Sequence, residues 1–360
     1  MVQVKTLGKI LLLFVILYLF ILSIQLMGSS FKLMGKGFAE GLIQTTSHPL
    51  IGLLIGILAT SIIQSSSTTT SITVGLVAGG VLTLQGAIPI IMGANIGTTI
   101  TNTIVSIGHV GRKQEFQRAF AAGTVHDFFN ILAVIILFPL EMATHILEKS
   151  ATVLADAFVG VGGIKFLSPL KAITSPVINA VKEIIHIPVL LIILSLVLLF
   201  LALVQLVKIM RSLMLTKIEL FLDKYLFKNA LTALLFGLIT TAIVQSSSIT
   251  TSLVIPLVGA GILTVRKIFP YTLGANIGTT VTAMLASFVT LDPVAVTVAF
   301  THLLFNVFGI VIIYPMKSVP IWLAEKFSQI TTKSKKNTLV FLIIYFLFFF
   351  SPLVLIIFFK

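Results

Sequence analysis

The chain has 360 residues, 57% of them hydrophobic and 10% charged, with a mean hydropathy of +1.15, so it has too little polar surface to cover a water-soluble core. What remains is an all-α polytopic membrane protein: apolar runs at 10–27, 188–207 and 337–359 are long enough to cross ~30 Å of hydrocarbon, and the alternation of a β-barrel is missing. The formal charge of +13 sits in short loops between apolar segments, which points to membrane topology and away from nucleic acid, and the lack of cysteine excludes disulfides and thiolate metal sites.

The first run, 10–27, is longer than the core of a signal peptide and is followed by no A-x-A-like cleavage site, so a retained helix is expected. A Gly- and Ser-rich stretch then carries QSSSTTTS at 64–71. GANIGTT follows at 93–99, and VHDFFNILAVIILFP places His126, Asp127, Asn130 and Pro139. The series is then written again. QSSSITTS stands at 245–252 and GANIGTT at 274–280, both displaced by 181 residues, and His302, Asn306 and Pro315 recur in THLLFNVFGIVIIYP. An identical heptapeptide at constant spacing from a second motif marks duplication. The expected division is a first repeat over 1–148, an outer connecting segment over 149–187, a second repeat over 188–326, and a peripheral C-terminal membrane helix over 327–360.

Loop charge sets the relative orientation of the halves. In the first, the loop before GANIGTT is uncharged and the one after it carries Arg112, Lys113 and Arg118. In the second the order reverses, with Arg266 and Lys267 before the motif and only Asp292 after it. Equivalent loops therefore lie on opposite faces, which requires an odd number of crossings per half. Each half is expected to hold a re-entrant helical hairpin at QSSS and a helix broken at GANIGTT, and the second half to be inverted. Lys5, Lys9, Lys333, Lys335 and Lys336 put the N-terminus on the cytoplasmic side of a cell membrane.

Two unwound turns of this kind survive in lipid only inside protein or against a water-filled cavity, and would meet near the midplane. The hydroxyls of Ser65, Ser66, Ser67, Ser246, Ser247 and Ser248, with free N–H groups at the following helix starts, suit an oxyanion. The same oxygens, with the amides of Gln64, Gln245, Asn95 and Asn276, suit a small hard cation. An isolated Ser or Thr in a membrane helix commonly bonds only to backbone, but seven hydroxyls in a row, answered by six around Ile249 in the second copy, exceed that need. Gly93 and Gly97 form a small-xxx-small packing pattern, whereas Asn95, Thr98 and Thr99 go beyond it. Asp127 is the one carboxylate well inside an apolar segment, and Leu303 stands at its equivalent; its alternatives are a cation site or an ion pair with Arg118 or Arg112. His126 with Asn130 and His302 with Asn306, each pair at i, i+4, are expected as supporting groups that hydrogen-bond to the neighbouring hairpin.

These motifs, in this order and each duplicated, resemble the type II sodium-dependent phosphate cotransporter family, from about residue 50 to 148 and again from about 231 to 326. The resemblance implies sodium-coupled symport of inorganic phosphate by a secondary active transporter, with no cofactor and no enzymatic activity. It implies phosphate ligands at Ser65, Ser66, Ser67, Asn95, Ser246, Ser247, Ser248 and Asn276. It implies sodium ligands at Gln64, Ser65, Thr68, Thr98, Asp127, Gln245, Ser246, Thr250 and Thr279. Electrogenic animal members resemble this chain in having Asp after the His of the VHD motif. Divalent phosphate and ionised Asp127 together call for roughly three sodium ions if no net charge is to be buried. Partners are then phosphate, sodium and membrane lipid, with a homodimer as a candidate assembly. The competing readings are a carrier for another oxyanion (sulfate, arsenate or a dicarboxylate), a passive channel, and an intramembrane serine hydrolase using His126 or His302 as base.

Overall fold

The structure, a computed structural model, describes residues 48–78, 82–158, 169–191, 229–244, 246–290 and 293–358, with scattered positions in 8–33 and 193–205. All elements among the described residues are helical. In the first half they are α1 Pro49–Ile63, α2 Ser66–Ala78, α3 Leu84–Thr98, α4 Ile100–Ile107, α5 Lys113–Thr144 and α6 Ile146–Phe158, followed by α7 Pro169–Ile184. The second half holds α8 Ala230–Val244, α9 Ser247–Gly259, α10 Val265–Thr290, α11 Pro293–Ile313, α12 Ser318–Thr331 and α13 Lys335–Phe358. By length and composition, Leu84–Ile107, Lys113–Thr144, Pro293–Met316 and Lys335–Pro352 can cross a membrane. The expected leading helices fall largely outside the described residues; those positions described between 8 and 33 are helical, and Leu22 and Leu26 pack with Ile178 and Leu191.

Close helix contact fixes the chain direction around QSSS. A Cβ on Gly93 would collide with the Leu53 carbonyl and Ile57 N, and one on Gly97 with the Ile57 carbonyl and Ser61 N. The contact advances along α1 and α3 together, so the two helices run parallel and α2 between them must run back. Gln64 makes the reversal, ending α1 in the left-handed region at φ 57° with its N–H on Thr60 O. Thr60 Oγ1 donates to Thr69 Oγ1 across the turn at 2.9 Å. The second half repeats this geometry: Gly274 abuts Leu234 and Leu238, and Gly278 abuts Leu238 and Ala242, so α8 is parallel to α10. At 15 and 13 residues, α1 and α2 are about 22 and 20 Å long, short of the hydrocarbon thickness.

The break expected at GANIGTT appears in one half only. In the first, Thr99 interrupts the helix between α3 and α4. In the second, α10 runs without interruption from Val265 to Thr290, through the whole motif. Gly274 and Gly278 make the same close interhelical contacts there as Gly93 and Gly97 make in the first half, and Thr99 itself keeps right-handed helical dihedrals at φ −75° and ψ −19°, so the interruption is confined to one residue.

The halves exchange elements reciprocally. Helix α6 packs on α11 of the other half as α12 packs on α5, and α2 packs on α11 as α9 packs on α5. The basic loops collect at one end of the bundle. Arg118 donates to Gly259 O at 3.0 and 2.7 Å, beside the Gly261 turn that precedes Arg266, and Lys113 Nζ reaches Lys333 O at 3.4 Å. At the other end Glu141 caps α6, accepting from the N–H groups of Leu147 at 2.6 Å and Glu148 at 3.2 Å.

Candidate functional site

The two QSSS turns converge on α4, the short helix that exists because Thr99 interrupts the first half. Thr101 Oγ1 donates to Gln64 Oε1 at 3.2 Å. On the next residue, Asn102 Oδ1 accepts from Thr251 Oγ1 at 2.8 Å and Ser252 Oγ at 3.2 Å, both on the second hairpin. Ser248 Oγ reaches Thr98 O at 3.5 Å. Gln64, Ser66, Ser67, Ser247 and Ser248 are all buried, and Ser65 and Ser246 partly so. Gln245 lies outside the described residues.

Each turn delivers a helix start. Ser65 Oγ accepts from Thr68 N at 3.2 Å and Ser246 Oγ from Ile249 N at 3.3 Å, so both serines act as N-caps. The N–H groups of Ser66, Ser67, Ser247 and Ser248 then fall in the first helical turn, where no intrahelical acceptor exists. Partial positive charge gathers there without a buried Lys or Arg.

The hydroxyls divide by what their protons do. Thr98 donates to Ala94 O at 2.9 Å, Thr250 to Ser246 O at 2.9 Å and Thr279 to Ala275 O at 3.1 Å, each one turn back along its own helix. Such an oxygen keeps only acceptor capacity, which suits a cation. Thr68 Oγ1 shares a 2.9 Å hydrogen bond with Ser65 Oγ. Ser67 Oγ and Thr70 Oγ1 are buried with no hydrogen-bond partner, so their protons remain to be offered to an acceptor.

A lattice of amides joins the halves behind the turns. His126 Nε2 meets Asn276 Oδ1 at 2.6 Å, and its Nδ1 meets Asn102 Nδ2 at 3.2 Å. Asn276 Nδ2 donates to Asn130 Oδ1 at 3.0 Å, Asn130 Nδ2 to Asn95 O at 2.7 Å, and Asn306 Nδ2 to Asn95 Oδ1 at 3.1 Å. The His–Asn pairs thus bond to the GANIGTT segments and α4 and not to the hairpins that sequence reasoning expects, and they do so unequally. His302 is fully buried and both its ring nitrogens lack a partner: Ala283 stands where the first half has Asn102, and the Oδ1 of Asn95, the counterpart of Asn276, is taken by Asn306. Asn95 and Asn276 are engaged at both ends of the amide, Nδ2 donating to Ile91 O and Asn130 Oδ1 respectively, and each amide nitrogen carries a second N–H beyond that bond.

Asp127 is 3% exposed and its ion-pair alternative fails. Arg112 pairs with Glu115 at 3.1 Å and Arg118 is spent on Gly259 O. The carboxylate instead accepts from Thr99 Oγ1 and from Tyr345 OH on α13, at 3.1 and 3.0 Å to its two oxygens. Neither imidazole bonds to a serine among the described residues, so the geometry a serine hydrolase needs is not formed.

The model of the Na+/Pi-cotransporter family matches residues 19–168 and 198–350. The chain belongs to that family. It is 34% identical to sodium-dependent phosphate transport protein 2B of Pongo abelii and 33% identical to that of Homo sapiens, in each case over 94% of this chain and 64% of the relative. Sodium-dependent phosphate transport protein 2A of Ovis aries is 34% identical over 95% of this chain and 66% of its own. The chain therefore spans a little under two thirds of the length of these relatives. No solved structure matches.

Asn102 and Tyr345 are the residues around the site that sequence reasoning passes over, whereas it singles out Thr99 with Asn95 and Thr98. Asn102 follows the motif directly in GANIGTTITN, but with Ala283 as its counterpart it is invisible to a search for duplicated residues. Tyr345, in YFLFFF, reads as one more aromatic of a lipid-facing helix.

Proposed function

We propose that the protein is a sodium-coupled symporter that carries inorganic phosphate into the cell by alternating access across the cell membrane, its N-terminus cytoplasmic. The observation that carries this reading is the meeting of two duplicated hydroxyl turns on one short helix, in a buried site whose only charged side chain among the described residues is Asp127. Family membership and the transport names of the relatives support it.

In this reading α1–α2 and α8–α9 are re-entrant hairpins and the repeats are inverted. The short hairpin arms, the parallel α1–α3 and α8–α10 pairs, and the basic loops gathered at one end all favour that arrangement. Phosphate is held by Ser65, Ser66, Ser67, Ser246, Ser247 and Ser248 and by the first-turn N–H groups, which donate without adding net charge. Asn95 and Asn276 offer it the second N–H of their amides. Sodium takes the acceptor-only oxygens of Thr98, Thr250 and Thr279, with Gln64, Gln245, Thr68, Ser65 and Ser246 at the hairpin tips, and a further ion pairs with Asp127. Transport is then electrogenic, with roughly three sodium ions per divalent phosphate.

Sodium-gradient uptake of radiolabelled phosphate into proteoliposomes, at clamped potentials, tests the proposal. Accumulation against the phosphate gradient that vanishes when choline replaces sodium is expected. Downhill equilibration alone would make the protein a channel, and competition by sulfate equal to that by phosphate would make it a carrier of oxyanions generally.

A further inference from the structure

The C-terminal helix α13 lies outside both repeats, and most of its apolar length is exposed. One face is not. Phe341 meets Phe327 edge-on at 5.3 Å, Tyr345 and Phe349 are buried with ring centroids 4.8 Å apart, and Tyr345 OH spans both oxygens of Asp127. Asp127, whose counterpart in the second half is Leu303, thus meets a hydroxyl from the helix that lies outside both repeats.

We propose that Tyr345 is a positioning residue that holds the Asp127 carboxylate while its cation is absent and competes with sodium for it, a role that rests on the symport reading above. The argument is geometric. A phenol proton shared between both carboxylate oxygens occupies the place where a cation would bridge them, so sodium enters only when that proton turns away. Thr99 Oγ1 approaches the same carboxylate, and among the described residues no Lys or Arg does. An ionised carboxylate buried among apolar helices is expensive when unsatisfied, and hydroxyl donors lower that cost without supplying the neutralising charge. The empty carrier therefore crosses its transition with Asp127 satisfied, and the loaded one with Asp127 paired to sodium. Coupling follows, because the two states exclude each other at one side chain.

Tyr345→Phe keeps the ring that packs on Phe349 and deletes only the donor. Sodium-dependent thermal stabilisation of the full chain in nanodiscs, titrated against choline at constant ionic strength, reads the competition without needing transport. The sodium midpoint is expected to fall about tenfold in Tyr345→Phe, as for loss of a charge-assisted hydrogen bond, while the phosphate KM at saturating sodium stays put. In an Asp127→Gly background the same substitution should do nothing. An unchanged midpoint, or an equal shift without Asp127, overturns the proposal. Phe349→Leu loosens the ring contact and spares the hydroxyl; a shift as large as that of Tyr345→Phe would make Tyr345 a packing residue and also overturn it. A wild type that shows the Asp127-dependent shift but no sodium-driven phosphate uptake would refute the transport reading and leave this competition standing.

Discussion

On the symport proposed above, replacing Asp127 by Gly should convert electrogenic transport into electroneutral transport. Asp127 has hydroxyl partners and, among the described residues, no Lys or Arg beside it, so in that reading its neutralising charge arrives from solution as one sodium ion per cycle. With divalent phosphate, roughly three ions leave one net positive charge moving with each turnover, and roughly two leave none. In a proteoliposome held at −100 mV with a tenfold sodium gradient, one ion contributes about 1.4 kcal/mol from the gradient and about 2.3 kcal/mol from the field. Its loss lowers the limiting phosphate accumulation ratio roughly 500-fold. The assay is radiolabelled uptake followed to its plateau, alongside phosphate-induced current on a solid supported membrane. Asp127→Gly should keep sodium-dependent uptake, with a far lower plateau and no current. A variant current of wild-type size, or a wild-type plateau indifferent to voltage, would refute the reasoning.

Ser67→Ala removes a buried hydroxyl whose proton is uncommitted, and should raise the phosphate KM about tenfold with little change in sodium half-saturation; the reverse pattern would assign Ser67 to the cation. Thr98→Val keeps shape and helix but deletes an acceptor-only oxygen, so sodium half-saturation should rise about tenfold at constant phosphate KM, measured by uptake over a sodium series. Gly274→Ala puts a Cβ into the Leu234 carbonyl and should cost about 2–3 kcal/mol, seen as a lowered melting temperature in detergent, whereas Gly111→Ala, with open space around it, should stay within about 0.5 kcal/mol. Asn276→Ala strands His126 Nε2 and Asn130 Oδ1 together and should destabilise by about 2–4 kcal/mol and abolish uptake; near-native melting and transport would show that the amide lattice does not join the halves.

Sequence alone determined the class of this protein, its duplication, the positions of its two hydroxyl turns and the singular character of Asp127. Each of these is a local property: an apolar run long enough for a bilayer, a motif at fixed spacing from another, a carboxylate inside an apolar run with Leu303 at its equivalent. The tertiary structure alone decided what those pieces meet. GANIGTT is identical in both halves and packs its glycines in the same way, yet a helix ends at Thr99 in one and runs unbroken through Thr280 in the other, so the motif alone does not decide helix continuity. That interruption creates α4, whose Thr101 and Asn102 gather residues from both hairpins, and no local pattern marks Asn102 because its counterpart is Ala283. The partner of Asp127 was still less legible, since Tyr345 lies 218 positions away on a helix whose composition announces only lipid. Contacts at that separation are set by how faces of helices close on one another, and a side chain's own neighbours in sequence carry no record of them.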